Sequence, residues 1–187
     1  MANEVLQKVG TQLCFANHAG DFSPAAGTSL EVGTPTDVEF ALSGVTAGAA
    51  RNSTKFDFGA TRARQYSIMA AIEFFSAPTA GGTVDFYIAT SPQSTAGNGN
   101  AGLADGSDGA WTGDGGGTVA ETVRQLQYIG QFVVTDLVGV QVAFCGTFEP
   151  AFRYGQLIAV NNTSVTLAAT DDVETHVILE PVKDEVQ

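Results

Sequence analysis

The chain has 187 residues, of which 44% are hydrophobic and 15% are charged, a composition that fits one globular domain and excludes wholesale disorder. Twenty acidic residues against eight basic ones give a net charge of −12. That charge opposes binding to nucleic-acid backbones and to anionic lipid surfaces. The sequence therefore predicts neither a nucleic-acid partner nor a membrane partner.

Short segments of alternating hydrophobicity in the N-terminal half predict β-strands. In residues 37–42 and 84–88 every second residue is a large hydrophobic one, so these side chains share one face of the strand. Residues 65–75 are hydrophobic on both faces, as in a strand that is covered on both sides. Weaker strand signals occupy residues 11–16, 28–32 and 54–58.

The C-terminal half continues this pattern after a short helical segment at 118–126, where Thr118 and Glu121 have the spacing of a capping box. In residues 125–134, alternation places Tyr128, Phe132 and Val134 on the same face of a predicted strand. The same alternation predicts that the hydrophobic side chains of 138–148 point into the core, namely Val138, Val140, Val142, Phe144 and Phe148. Further strands are predicted at 156–161 and 173–180.

Eight to ten short strands separated by turn residues predict an all-β fold, an antiparallel β-sandwich or jelly roll. We expect one domain over residues 11–180, preceded by an N-terminal arm at 1–10 and followed by a C-terminal tail at 181–187. Cys14 and Cys145 lie far apart in sequence without a metal-binding spacing, and we expect both to be reduced and not bonded to each other.

Residues 91–118 form a Gly/Asp-rich loop that contains nine of the 22 glycines, and its length is far above that of ordinary connections. Ordering so much glycine is costly, and the segment itself offers no obvious compensation. We therefore expect the loop to pack against another chain. The candidate interface residues are Gly97, Gly99, Asn100, Leu103 and Trp111. In the alternative interpretation, Trp111 folds back as a hydrophobic plug for its own loop.

Motifs for chemistry are weak throughout the chain. Residues 97–102 match the dinucleotide pattern GxGxxG, but the glycines run on into Leu-Ala-Asp-Gly rather than into a helix. Four oxygen-bearing side chains of the loop could supply a structural calcium site or simply be solvated, namely Asp105, Ser107, Asp108 and Asp114. Neither His18 nor His176 belongs to a catalytic motif. The sequence predicts no enzyme and no catalytic, cofactor-binding or metal-binding residues.

Four segments together resemble small structural proteins of tailed bacteriophages: residues 79–111, 126–135, 148–162 and 173–187. The resemblance implies a capsid decoration (cement) protein, commonly a jelly roll that stands on the capsid lattice as a trimer. Its partners would be the major capsid protein and sister subunits. The protein would be made in the host cytoplasm and located on the capsid surface of the virion.

Two other function classes stay open at this point. One is a tail-associated or receptor-binding jelly-roll module that holds carbohydrate with Trp111 and the Gly/Asp-rich loop. The other is an enzyme such as a depolymerase, which the lack of a catalytic motif disfavours. Binding to glycans would favour the first of these, and location on heads rather than tails would favour the decoration role.

Overall fold

A computed structural model describes residues 5–60 and 62–186. The strands are β1 (Val5–Val9), β2 (Leu13–Ala16), β3 (Thr36–Glu39), β4 (Ala50–Asn52), β5 (Phe56–Asp57), β6 (Gln65–Phe74), β7 (Thr83–Ser91), β8 (Gly109–Trp111), β9 (Gln127–Val133), β10 (Gly139–Phe148), β11 (Tyr154–Asn162) and β12 (His176–Val186). One short helix, α1 (Val119–Thr122), starts at Thr118 with the predicted capping box. Single 3-10 turns occupy Ala101–Leu103 and Val123–Gln125.

The strands form two six-stranded sheets. Sheet A has the order β10-β6-β12-β2-β3, and β1 pairs with β12 beside this path. Sheet B has the order β8-β4-β11-β7-β9, and β5 pairs with β11. Within the described ranges every pairing is antiparallel except that of β2 with β3. The predicted all-β sandwich is confirmed.

The main core lies between the two sheets and is dominated by aromatic and branched side chains. Its largest fully buried members are Phe15, Phe40, Phe74, Phe86 and Phe132. Burial of each such side chain stabilises the fold by roughly 1.5–3 kcal/mol. The predicted inward faces of residues 37–42 and 84–88 are confirmed, because all of their alternate hydrophobic side chains are buried.

Two β-bulges meet where the edge strands β9 and β10 bring the sheets together. Ile129 is the extra residue of β9 opposite β7, and Cys145 is the extra residue of β10 opposite β6. A Cβ atom on Gly130 would lie 2.4 Å from the Cys145 carbonyl oxygen, and one on Gly146 would lie 2.9 Å from the Ile129 carbonyl oxygen. Only glycine permits so close a backbone contact. We call it the β9–β10 seam.

The bulge at Cys145 reverses the predicted orientation of most of β10. Val138, Val142 and Phe144 are 63%, 46% and 61% exposed, whereas Cys145 faces the core. Phe148 is buried as predicted because it lies beyond the bulge, where the alternation has shifted by one residue. The prediction that these side chains all enter one core is therefore wrong. The alternation of hydrophobic residues correctly identified the two faces of the strand. The extra residue at Cys145 decided which of the two faces points into the core.

The two chain ends pair with each other. β1 runs antiparallel to the end of β12, from Val5 opposite Val186 to Val9 opposite Val182. The predicted arm (1–10) and tail (181–187) therefore form one two-stranded ladder over their described parts, rather than two independent extensions. Residues 1–4 and 187 lie outside the described residues.

The strand expected at 28–32 is absent, because residues 17–35 form a strap across the outer face of sheet A. Side chains of the sheet take the backbone donors that a strand would use: the Leu30 amide donates to His176 Nε2 at 3.0 Å, and the Val32 amide donates to Gln12 Oε1 at 2.7 Å. Phe22 and Leu30 pack on a small buried cluster beneath the strap, formed by Cys14, Ala16 and Ile178.

Two phenylalanines test the observed orientation of β10. We expect Phe86→Ala to lower the free energy of unfolding by about 3–5 kcal/mol, because it leaves a cavity between the sheets. At dilutions where any oligomer has dissociated, Phe144→Ala should cost less than about 1 kcal/mol, because most of that side chain lies outside the core of its own subunit. Chemical denaturation followed by circular dichroism gives both values. Equal losses would contradict the inverted orientation.

Candidate functional site

The Gly/Asp-rich loop 91–118 packs on the outer face of sheet B of its own chain. Its short strand β8 pairs with β4, with Trp111 opposite Ala50 and Gly109 opposite Asn52. The Trp111 side chain is 4% exposed and lies in a second hydrophobic cluster with Ala50, Ala89, Ala104, Ile158 and Val160. Within the subunit, Trp111 therefore folds back against its own chain, as the alternative interpretation expected.

A glycine makes room for the Trp111 indole. Trp111 Nε1 donates to the carbonyl oxygen of Gly102 at 3.3 Å. Gly102 has φ +63°, and a Cβ atom there would lie 3.2 Å from Trp111 Cζ2 and 2.9 Å from a methyl carbon of Leu126. Glycine thus meets both the backbone conformation and the space that this contact requires.

Buried amides of the domain anchor the backbone of the loop. Gln156, in β11, is fully buried: its Nε2 donates to the Ser53 carbonyl at 2.6 Å, and its Oε1 accepts from the Gly106 amide at 3.0 Å. Asn100, which is 7% exposed, donates from Nδ2 to the Ala96 carbonyl at 2.8 Å. Asn100 also reaches Gln156 Oε1 at 3.2 Å. These bonds replace the regular ladder that the loop lacks.

Two basic side chains, Arg51 in β4 and Lys55 shortly after it, bind other parts of the loop. Arg51 forms a bidentate ion pair with Asp108, with Nε–Oδ1 at 2.8 Å and Nη2–Oδ2 at 2.5 Å. The hydrogen bond to Asp108 raises the pKa of Arg51, so the guanidinium stays charged. Lys55 Nζ donates to the carbonyl oxygens of Thr95 at 2.7 Å and Asn98 at 2.9 Å. The loop is therefore supported by its own subunit, through side chains that lie outside the loop segment.

Three of the four side chains considered for calcium accept hydrogen bonds from protein donors, and Ser107 is held through its main chain. Asp108 pairs with Arg51, and Asp105 Oδ1 accepts from Asn52 Nδ2 at 2.9 Å. The Ser107 carbonyl also accepts from Asn52, at 2.6 Å. Asp114 Oδ1 accepts from the Gly117 amide at 2.8 Å. In this structure these oxygens thus contact protein donors rather than converging on one point as calcium ligands do.

The predicted interface residues divide into two groups. Asn100 and Trp111 are buried inside the subunit, which corrects their assignment to a surface: their side chains support the loop. Gly97 and Gly99 are exposed, and Leu103 is 73% exposed. For these three residues, contact with a partner stays a prediction.

An exposed hydrophobic surface that the sequence did not predict covers the outer side of β6 and β10. We call it the β6–β10 face and define it by side chains that register pairing and alternation place together: Met69, Phe75, Val138, Val140, Val142 and Phe144. The turn before β10 is fixed by Gln141, which accepts from the Thr135 amide at 2.9 Å and donates to the Leu137 carbonyl at 2.8 Å. Large exposed hydrophobic surfaces mark sites of interaction.

This face is almost free of charge, although the chain as a whole carries −12. Residues 137–148 contain no charged residue, and residues 65–75 contain only Glu73. Burial raises the pKa of Glu73, and the nearby carboxylates Asp171 and Glu174 raise it further. Glu73, the only acidic residue of these two strands, therefore becomes protonated at a higher pH than an ordinary glutamate does.

His176 is buried beneath the strap and has a structural role. Its Nδ1 lies 2.8 Å from the Glu174 carbonyl oxygen, to which it donates, and its Nε2 accepts from the Leu30 amide. Both ring nitrogens are thus occupied in the neutral form, and burial lowers the pKa of the imidazole. Cys14 and Cys145 are both free, as predicted, and burial raises the pKa of each thiol.

Comparison with protein-family models, with curated proteins and with solved structures found no match. No helix within residues 5–60 and 62–186 has the length and hydrophobicity needed to cross a membrane. In the same part of the chain, no three His, Cys, Asp or Glu side chains cluster as a metal site would require.

The fluorescence of Trp111, the single tryptophan, tests the internal support of the loop. Because the indole is enclosed by its own subunit, we expect weak quenching by acrylamide even at dilutions where every oligomer has dissociated. A Trp111→Phe/Leu103→Trp double variant is the matched control, since position 103 is exposed and should be quenched strongly. Quenching of wild-type Trp111 that appears only on dilution would contradict the result expected here.

Proposed function

We propose that this protein is a non-enzymatic structural protein of a tailed-bacteriophage virion, a capsid decoration protein that forms homotrimers and binds the major capsid protein. The observation that carries the proposal is the exposed hydrophobic β6–β10 face, whose strands contain a single acidic residue, Glu73, on a strongly acidic domain. A protein that acts by surface contact needs such a face and no catalytic centre. The sequence resemblance to phage structural proteins supports the same role.

The order of pairing supports a jelly roll as the finer description of the sandwich. In chain order, the eight strands β2, β4, β6, β7, β9, β10, β11 and β12 pair as first with last, second with seventh, third with sixth and fourth with fifth. Nested pairing of this kind results when one long antiparallel ribbon is rolled into two sheets, as in jelly rolls. Viral capsid proteins and lectins both use that architecture.

Sister subunits are the occupants that we assign to the β6–β10 face. Each copy carries −12, so copies repel one another wherever their acidic surfaces approach. A surface with hydrophobic side chains and a single acid is where this repulsion is smallest and apolar burial is largest. In a closed ring of three copies this face can lie against a neighbouring subunit. The exposed loop residues Gly97, Gly99 and Leu103 are then left to contact the shell.

Ultracentrifugation of variants tests the subunit contact. We expect wild-type protein to sediment as a trimer that high salt strengthens slightly by screening repulsion. Phe144→Glu should sediment as a folded monomer, because it adds a desolvated carboxylate to the contact. Leu103→Glu is the matched control and should stay trimeric. A monomeric wild type, or dissociation by Leu103→Glu alone, would contradict the assignment of this face.

Location on the virion tests the proposed role itself. Mass spectrometry of separated heads and tails should find the protein with the heads, in numbers that reflect the capsid lattice. Gold labelling with antibodies should mark the outside of the capsid. Recovery with tails alone would refute the decoration role and favour the alternative, a tail-associated or receptor-binding module. That alternative needs a ligand site other than Trp111, because the indole is enclosed.

A further inference from the structure

A row of hydrophobic side chains crosses the outer face of sheet A, and the strap covers half of it. Register pairing places four side chains next to one another on β10, β6, β12 and β2, namely Phe144, Met69, Ile178 and Cys14. Phe144 and Met69 belong to the exposed β6–β10 face, whereas Ile178 and Cys14 are buried beneath the strap. The position of the strap therefore decides how far the exposed hydrophobic surface extends across the sheet.

Titratable side chains hold the backbone of the strap. Three of them accept hydrogen bonds from strap amides, namely Glu39, Glu174 and His176. Their donors are the amides of Ala19, Ala25 and Leu30, at 2.9, 3.0 and 3.0 Å. A carboxyl group that takes up a proton still has a carbonyl oxygen that can accept, whereas an imidazole that takes up a proton has no acceptor left. Of the three anchors, only His176 thus loses its bond to the strap outright on protonation.

The surroundings of His176 leave no room for a second ring proton. The side chain is fully buried, and its Nδ1 already donates to the Glu174 carbonyl oxygen at 2.8 Å. A proton can therefore enter only at Nε2, where the Leu30 amide donates at 3.0 Å. Two N–H groups would then point at each other, and a charge would be enclosed without an acceptor for its new proton. The imidazolium is incompatible with this contact.

The groups around the imidazole act in both directions. Burial lowers its pKa, the charges of Glu31 and Glu174 raise it, and His18 lowers it further, with burial the largest effect. Its register neighbours on β2 and β6 are uncharged, namely Ala16 and Ala71. An imidazole exposed by an open strap has an ordinary pKa of about 6.5. The closed form therefore binds fewer protons, so closure is complete above that pH and weakens as the pH falls toward the lowered pKa.

We propose that the strap is an acid-sensitive cover of sheet A, which opens when His176 takes up a proton from solvent at Nε2. The Leu30 amide then donates to water. Opening extends the exposed hydrophobic surface from β10 and β6 onto β12 and β2. The inference does not rest on the proposed virion role, because the strap closes within one subunit. Where sister subunits meet at the β6–β10 face, opening adds two strands to the surface that they can share.

Hydrogen exchange followed by NMR on the full chain tests the opening. Between about pH 7.5 and pH 5.5, titration of one histidine can shift the closing equilibrium by at most about tenfold. We expect the protection factors of the Ala25 and Leu30 amides to fall about threefold to tenfold, after correction for intrinsic exchange, while those of β7 stay constant. No fall in the strap would overturn the proposal. An equal fall in β7 would also overturn it, because the whole fold would then be opening.

The two histidines of the chain provide a matched pair of variants. His176→Gln keeps a carbonyl oxygen for the Leu30 amide but cannot titrate, so strap protection should no longer change with pH. His18→Gln is the control: His18 Nε2 donates to the Cys14 carbonyl at 3.1 Å, a bond that protonation retains, and this variant should respond like the wild type. A pH response that persists in His176→Gln, or disappears in His18→Gln, would overturn the assignment.

A second acid beside the strap has the opposite effect, and the same variants separate it. Asp172 accepts from Asn17 Nδ2 at 2.9 Å where the strap begins, and burial raises its pKa. Its protonation favours the closed form, so it cannot produce the expected loss of protection.

Nitrogen-15 NMR of the wild-type imidazole gives a test without substitution. At about pH 7.5 His176 should carry its proton on Nδ1, the tautomer that both of its hydrogen bonds require. Protonation at Nε2 should follow the same pH dependence as the loss of protection at Leu30. A neutral ring with its proton on Nε2, or a strap that opens at a pH where the ring stays neutral, would overturn the proposal.

Discussion

The backbone contact between Ile129–Gly130 and Cys145–Gly146 is the constraint on which the exposed surfaces of this protein depend. It brings the edges of the two sheets together, and it coincides with one extra residue in each edge strand. The bulge at Cys145 turns Val142 and Phe144 outward. The bulge at Ile129 turns Ile129 into the core and Tyr128 toward solvent. The exposed hydrophobic surface of β10 thus follows from this packing contact.

The Gly/Asp-rich loop shows how a costly segment becomes ordered without a partner chain. Glycine supplies positive φ angles and close approach at Gly102 and Gly106, and Trp111 supplies buried apolar area. Gln156 and Lys55 supply the hydrogen bonds that the irregular backbone cannot make with itself. Each contribution is small, but together they offset the entropy of ordering.

The sandwich architecture gives the molecule two chemically different sides. The outer side of sheet A is covered by the strap over β2 and β12 and is left hydrophobic over β6 and β10. The outer side of sheet B carries the loop and helix α1. Because the outer faces of a sandwich point in opposite directions, one side can be occupied by a neighbour while the other stays accessible.

The sequence by itself determined the class of fold, most strand positions, the capping box at Thr118 and the inward faces of β3 and β7, because these depend on local periodicity and capping chemistry. Tertiary structure alone decided the inward faces of β9 and β10, since the bulges arise from contact between strands. Tertiary structure also decided that the Trp111 side chain is buried. The groups that enclose it, from Ala50 to Ile158, are distant in sequence and meet only when sheet B forms.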